Sequence, residues 1–239
     1  MSLKRRRDLA SADKAGDLTL VNVEAPFPSL QAPLIAGYAS WCLDGRPVPS
    51  PLDAFIPRPD VRERFYATIA APAEVVMAEA SHLDLQSLAL VRGIFWLRQV
   101  VMGGHAASAR PPQGLLADME GMGWALLVDE PHSIVCGAAC QPWLANTKFT
   151  PIPADRFAEY AEPEQVKIAW SLEAETLGPT TTRFVHETRA VATDVEAQAR
   201  FLRYWRWARV GIVTIRLLLM PAIRHAAERR WARELHFAE

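Results

Sequence analysis

Two stretches decide the fold: RERFYATIAAPAEVV (Arg62–Val76) and HETRAVATDVEAQARFLRYWRWAR (His186–Arg209). In the first, Phe65, Ala67 and Ile69 alternate with Arg64, Tyr66 and Thr68, the period of a half-buried strand. Pro72 and an early Glu74 then open a helix over residues 73–80. In the second, Phe184, His186, Thr188 and Ala190 share one face of a strand over 182–192, and Arg183, Glu187 and Arg189 share the other. Thr193 and Glu196 have the spacing of a capping box. From there Phe201, Trp205, Ala208, Ile212, Ile215, Leu219, Ala222 and Ala226 step by threes and fours, the apolar stripe of a long helix. Arg203, Arg206, Arg209, Arg216 and Arg224 fall mostly off that stripe. Gly211 and Pro221 predict kinks or breaks within it.

The residues between fill in an α+β order. A second helical segment spans 85–102 and stops at Gly103-Gly104. A loop with Pro111-Pro112 follows. Residues 124–128 and 134–141 read as a β-hairpin around Asp129–Ser133. Residues 157–160 read as a short strand. Residues 166–174 alternate cleanly, with Ile168, Trp170 and Leu172 on one face, and a turn at Leu177-Gly178-Pro179 leads to the last strand.

Composition narrows the class. The 239 residues are 50% hydrophobic and 22% charged, with net charge −1. That excludes general disorder and gives no global reason to expect nucleic acid as a partner. Three cysteines cannot build a disulfide scaffold. Neutrality is a cancellation: residues 61–193 carry ten basic and fifteen acidic groups, whereas 194–239 carry nine basic and five acidic. A basic helix laid on an acidic sheet accounts for this, and contact with an anionic membrane surface is the sharper alternative. Eight of the eighteen prolines lie between Pro26 and Pro59, so residues 1–60 read as an irregular arm with a mobile start. The body is residues 61–239.

The cluster Lys4-Arg5-Arg6-Arg7 lacks the apolar run of a secretory signal, which implies a cytoplasmic protein. The run Val210–Met220 is too short and too interrupted for a membrane span and reads as a buried helix segment.

The order of elements and the two opening stretches resemble the helix-grip superfamily of START domains, polyketide cyclases and birch-pollen allergens. The Ala-Pro-Ala-Glu entry to the first helix and the final strand running into a long helix carry the likeness over about residues 61–233. The resemblance implies a curved antiparallel β-sheet wrapped around a long C-terminal helix, enclosing a cavity. Its walls would then be Trp170, Leu172, Phe184, His186, Thr188, Trp205 and Ile212. Apolar walls with a few polar anchors suit a small hydrophobic ligand: a lipid, a polyketide or an aromatic metabolite. A cyclase, dehydratase or hydrolase using the same cavity is the alternative. Fold alone does not decide between them.

His186 is the candidate anchor or general base, because imidazole titrates near neutrality; a hydrogen-bonded core histidine is the plainer reading. Glu187 and Arg189 are expected to pair on the outer surface of the sheet. Cys136 and Cys140 share a strand face about 13 Å apart, too far for a disulfide, and read as packed free thiols. His82 ends a helix, His132 sits in a turn, His225 lies on an exposed helix side, and His105 lies in a loop that would reach the cavity mouth. No metal-ligand spacing and no phosphate loop occurs, so no metal and no cofactor is implied.

Overall fold

The computed structural model describes residues 49–83 and 114–237, residue 103, and the backbone of residues 18–21, 42–43 and 46–47. The expected helix over 85–102, the Pro111-Pro112 loop and His105 lie outside the described residues.

A mixed set of nine strands and four helices is described. The strands are β1 (Leu18–Val21), β2 (Cys42–Leu43), β3 (Arg46–Pro47), β4 (Val61–Ile69), β5 (Ala125–Glu130), β6 (Ser133–Cys140), β7 (Thr150–Pro151), β8 (Val166–Gly178) and β9 (Thr181–Ala192). The helices are α1 (Ala73–His82), α2 (Leu115–Gly121), α3 (Ala154–Phe157) and α4 (Val195–Phe237). Seven strands form one antiparallel sheet in the order β1-β4-β9-β8-β6-β5, with β7 also on β6; β2 and β3 pair separately. The first strand of the body lies beside the last, and long α4 follows directly. This is the α+β helix-grip order. Register shifts between Leu126 and Val128 and between Thr176 and Gly178 mark bulges, which bend their strands.

Alternation sorts the two sheet faces. Phe65 stands opposite His186, and His186 opposite Leu172, so these residues share the face that receives α1 and α4. Here Phe65, Ile69, Trp170, Leu172 and Phe184 pack with Val76, Leu219, Met220 and Ile223. The row Val61, Ala190, Phe201, Tyr204 and Ala208 forms a second cluster toward the start of α4.

The outer face carries its own core of Leu52, Ile56, Leu127, Val135, Phe157 and Ala169. Gly137 has no room for a side chain, because a Cβ there would come within 2.5 Å of the Phe157 ring. The expected strand at 157–160 is instead the helical turn α3. Pro153 sits at its N-cap and Phe157 at its end is fully buried. Lys167 Nζ donates to the Phe157 and Ala158 carbonyls at the end of that turn, 3.2 and 2.8 Å away.

Several expectations about the ends are corrected. Residues 18–20, taken as part of a mobile start, belong to β1 and pair with β4. The N-cap of α4 is Asp194, whose Oδ1 accepts from the Ala197 amide at 2.7 Å. Thr193 is occupied elsewhere, since its hydroxyl donates to the Gln165 carbonyl at 3.0 Å. α4 continues through Gly211 and Pro221. An interior proline costs a helix about 3 kcal/mol, and the burial of Leu219, Met220 and Ile223 around Pro221 offsets it. Part of α4 is apolar and long enough to cross a membrane by composition, with 28% of that stretch buried.

Candidate functional site

The helix-side face is interrupted by polar residues where α4 crosses the sheet. Each is placed there by strand parity. Glu63 lies two residues before Phe65 and pairs in register with Thr188; Thr188 lies two residues after His186. Trp170 is the partner of Thr188 on the other side, in β8. Glu63 is 1% exposed. It stands between the two apolar clusters.

His186 is fixed in one tautomer. Its Nδ1 lies 2.8 Å from the Ser171 carbonyl, which can only accept, so Nδ1 carries the hydrogen. Nε2 is then a lone pair, with the Thr188 hydroxyl at 3.4 Å. The Trp170 ring stands edge-on 6.1 Å away. Burial, and next the positive charge of Arg216, hold the imidazole pKa well below its ordinary value. His186 is therefore a neutral hydrogen-bond acceptor.

Glu63 has the opposite problem. Neither carboxyl oxygen has a hydrogen-bond partner among the described residues. The nearest cation among the described residues is Arg209, whose Nε lies 3.8 Å from Oε1. Burial pushes the carboxyl pKa up to about 7, against the pull of Arg216 and Arg209. Burial in turn lowers Arg216 to about 10, opposed by the charge of Glu63. Arg216 is still a cation at neutral pH. The site thus offers two acceptors, a flexible hydroxyl and guanidinium charge within an otherwise apolar layer.

The seven residues named from the sequence all lie on the helix side, in two groups. Trp170, Leu172, Phe184 and His186 are buried together, and Thr188 adjoins them half-buried. Trp205 and Ile212 are half-buried at the second cluster, where the Trp205 ring lies 5.9 Å from Phe201. The Trp205 indole nitrogen is buried without a hydrogen-bond partner among the described residues. Glu63 and Arg216 were missed. The alternation that sets Phe65 inward also sets Glu63 inward, so the first was there to be found. Arg216 was discounted as lying off the apolar stripe.

Two open clefts are described, and neither contains any of the seven. One, about 440 Å³, lies on the outer face between Phe55, Ile56, Arg58, Lys167 and Val191. The other, about 390 Å³, is formed by Trp143, Arg200, Arg203, Tyr204 and Trp207 at the start of α4.

Glu187 and Arg189 do pair, on the face opposite His186, at 2.7 Å. They are buried rather than on the surface, being 0% and 2% exposed in their side chains. The reason is the segment 50–57, which covers them: Arg189 Nη1 donates to the Ile56 carbonyl at 2.8 Å and meets Asp53 at 2.7 Å. Arg62 and Arg64 add contacts to Glu187 of 2.7 and 3.1 Å. Cys136 and Cys140 are buried free thiols, and burial pushes the Cys136 pKa to about 12. Among the described residues no group of three or more His, Cys, Asp or Glu is placed to hold a metal.

No family profile and no curated protein sequence matches the chain. Among solved structures it is similar to CalU16 from Micromonospora echinospora, at 12% identity over 74% of this chain and 88% of that one, with a TM-score of 0.25. It is also similar to the Zhui aromatase/cyclase from Streptomyces sp. R1128, at 14% identity over 71% and 94%, again with a TM-score of 0.25. Scores this low carry no argument about chemistry. The assignment rests on the described elements: with its first body strand beside its last and a long terminal helix across the sheet, the chain has the helix-grip fold.

Proposed function

We propose that the chain binds a small hydrophobic molecule, such as a lipid, a polyketide or an aromatic metabolite, between the helix-side face of the sheet and α4. The observation that carries this reading is Glu63: a buried carboxyl without a hydrogen-bond partner among the described residues, on the same sheet face as Phe65, Trp170 and the neutral His186. Buried polar groups in folded proteins are nearly always satisfied. A few polar anchors set in an apolar layer are the make-up of a small-molecule site. Native mass spectrometry of gently purified protein is expected to show the chain with an additional small-molecule mass that organic extraction removes. A chain found only at its own mass, before and after exposure to hydrophobic extracts, contradicts the reading.

Proton transfer on such a ligand is the second reading, favoured by one observation. A carboxyl whose pKa is about 7 is the register partner of Thr188, whose hydroxyl lies 3.4 Å from the unprotonated Nε2 of His186. Acid–base groups work best with pKa values near the operating pH. In a cyclase or dehydratase assay with an aromatic or polyketide-like substrate, Glu63→Gln is expected to lower kcat by about a hundredfold or more while leaving KM within a few-fold. Equal kcat in wild type and variant removes this reading and leaves binding intact.

A further inference from the structure

The polar groups under α4 discriminate among ligand ends. A bare hydrocarbon offers no hydrogen bond to the Glu63 oxygens, which have none among the described residues, and an unsatisfied buried acceptor is a net cost. A carboxylate or phosphate would be drawn by Arg209 and Arg216 but would meet the lone pair of His186 Nε2, and the charge of Glu63 once that carboxyl ionises. An ammonium would suit Glu63 but would lie close to two cations, with Arg209 Nε only 3.8 Å from the same carboxyl and Arg216 beyond it. A hydroxyl avoids each conflict. It donates to a carboxylate or to Nε2, and it accepts from a protonated carboxyl or from a guanidinium. The Thr188 hydroxyl approaches Nε2 only to 3.4 Å, a long contact that a ligand donor readily displaces.

We propose that Glu63 and the Nε2 of His186 together receive a hydroxyl group of the ligand, so that the ligand class is a ring-bearing phenol or alcohol rather than a hydrocarbon or an amine. This inference rests on the binding reading above and adds the chemistry of the bound end.

The test is a pair of probes that differ in one donor. Isothermal titration of the full chain with 2-naphthol and with 2-methoxynaphthalene is expected to show naphthol binding at least about tenfold tighter, the worth of one hydrogen bond to a charged group. The methoxy compound is the more hydrophobic of the two, so partition alone would give the reverse order. In Glu63→Leu the preference is expected to shrink to within about threefold, chiefly through tighter binding of the methoxy probe. Glu63→Gln, which keeps shape and an acceptor, is expected to fall between and serves where the leucine variant does not fold. Equal affinity of the two probes in the wild type overturns the hydroxyl assignment while sparing the binding reading. A preference that survives both substitutions overturns the role of Glu63. Binding of neither probe counts against the binding reading itself, and the hydroxyl assignment falls with it.

Discussion

Glu187→Ala is expected to lower folding stability by about 3–5 kcal/mol, the cost of removing one partner from a buried ion pair. Glu187 is fully buried, and three guanidinium groups converge on it. Arg62 Nε and Arg189 Nε each donate to Oε1 at 2.7 Å, and Arg64 Nη1 lies 3.1 Å from Oε2 without a well-aligned hydrogen bond. Arg62 and Arg64 are partly exposed, at 26% and 12% of their side chains, and water tempers their loss. Arg189 has no such relief. It would keep Asp53 and the Ile56 carbonyl and lose its one buried counter-charge. Urea unfolding of the single variant measures the loss. The double replacement Glu187→Leu with Arg189→Met is expected to recover much of it, because a paired charge exchanged for packed apolar groups is close to neutral. A single-variant loss under about 1 kcal/mol would mean that solvent reaches the pair.

Glu63→Leu is expected to act in the opposite direction, and only at higher pH. The carboxyl has a folded pKa of about 7 against an ordinary value of 4.5. Below pH 4.5 both folded and unfolded chains hold the proton, and the residue costs nothing electrostatically. Between pH 4.5 and 7 the unfolded chain gives up the proton while the folded chain keeps it, so stability falls as pH rises. Above pH 7 both forms are ionised, and the accumulated penalty is about 3 kcal/mol. The leucine variant removes that penalty. Its advantage over wild type is expected to be largest near pH 8 and to vanish toward pH 4, as read from unfolding curves at several pH values. A constant difference across that range would show that packing, not ionisation, separates the two proteins.

Both groups illustrate what the sequence made legible. Strand parity was readable at β4, β8 and β9 because each alternates over many residues, and parity alone set Glu187 and Arg189 opposite His186. Burial of the pair was not readable. Its cover comes from Leu52 to Ile56, a proline-flanked segment with no periodicity to announce where it packs. On α4 the apolar stripe was legible as a stripe, but not its rotation. Phe201, Ala208, Ile215 and Leu219 are buried as the stripe implies. Tyr204 is buried in place of Trp205, one residue back near the start of the helix, and Ile223 and Ala227 in place of Ala222 and Ala226, one forward near its end. A turn of about 100° per residue is enough to change which arginine looks inward, and so Arg216 was overlooked. The cap at Asp194 rather than Thr193 is a tie between two good capping residues, decided by the bond from Thr193 to Gln165.

The pairing of β4 with β9 also governs how the chain is made. Arg62 and Glu187 touch across 125 residues of intervening sequence. At about 5–20 residues per second, the ribosome takes on the order of ten seconds to supply the partner. Throughout that interval the β4 segment lacks its β9 partner while carrying Phe65, Ala67 and Ile69 for a core not yet assembled. Unpaired apolar edges invite the wrong neighbour, and distant pairings close slowly. The nascent chain is therefore most vulnerable before β9 emerges. A stop anywhere before Thr181 leaves β4 without the strand that completes the sheet.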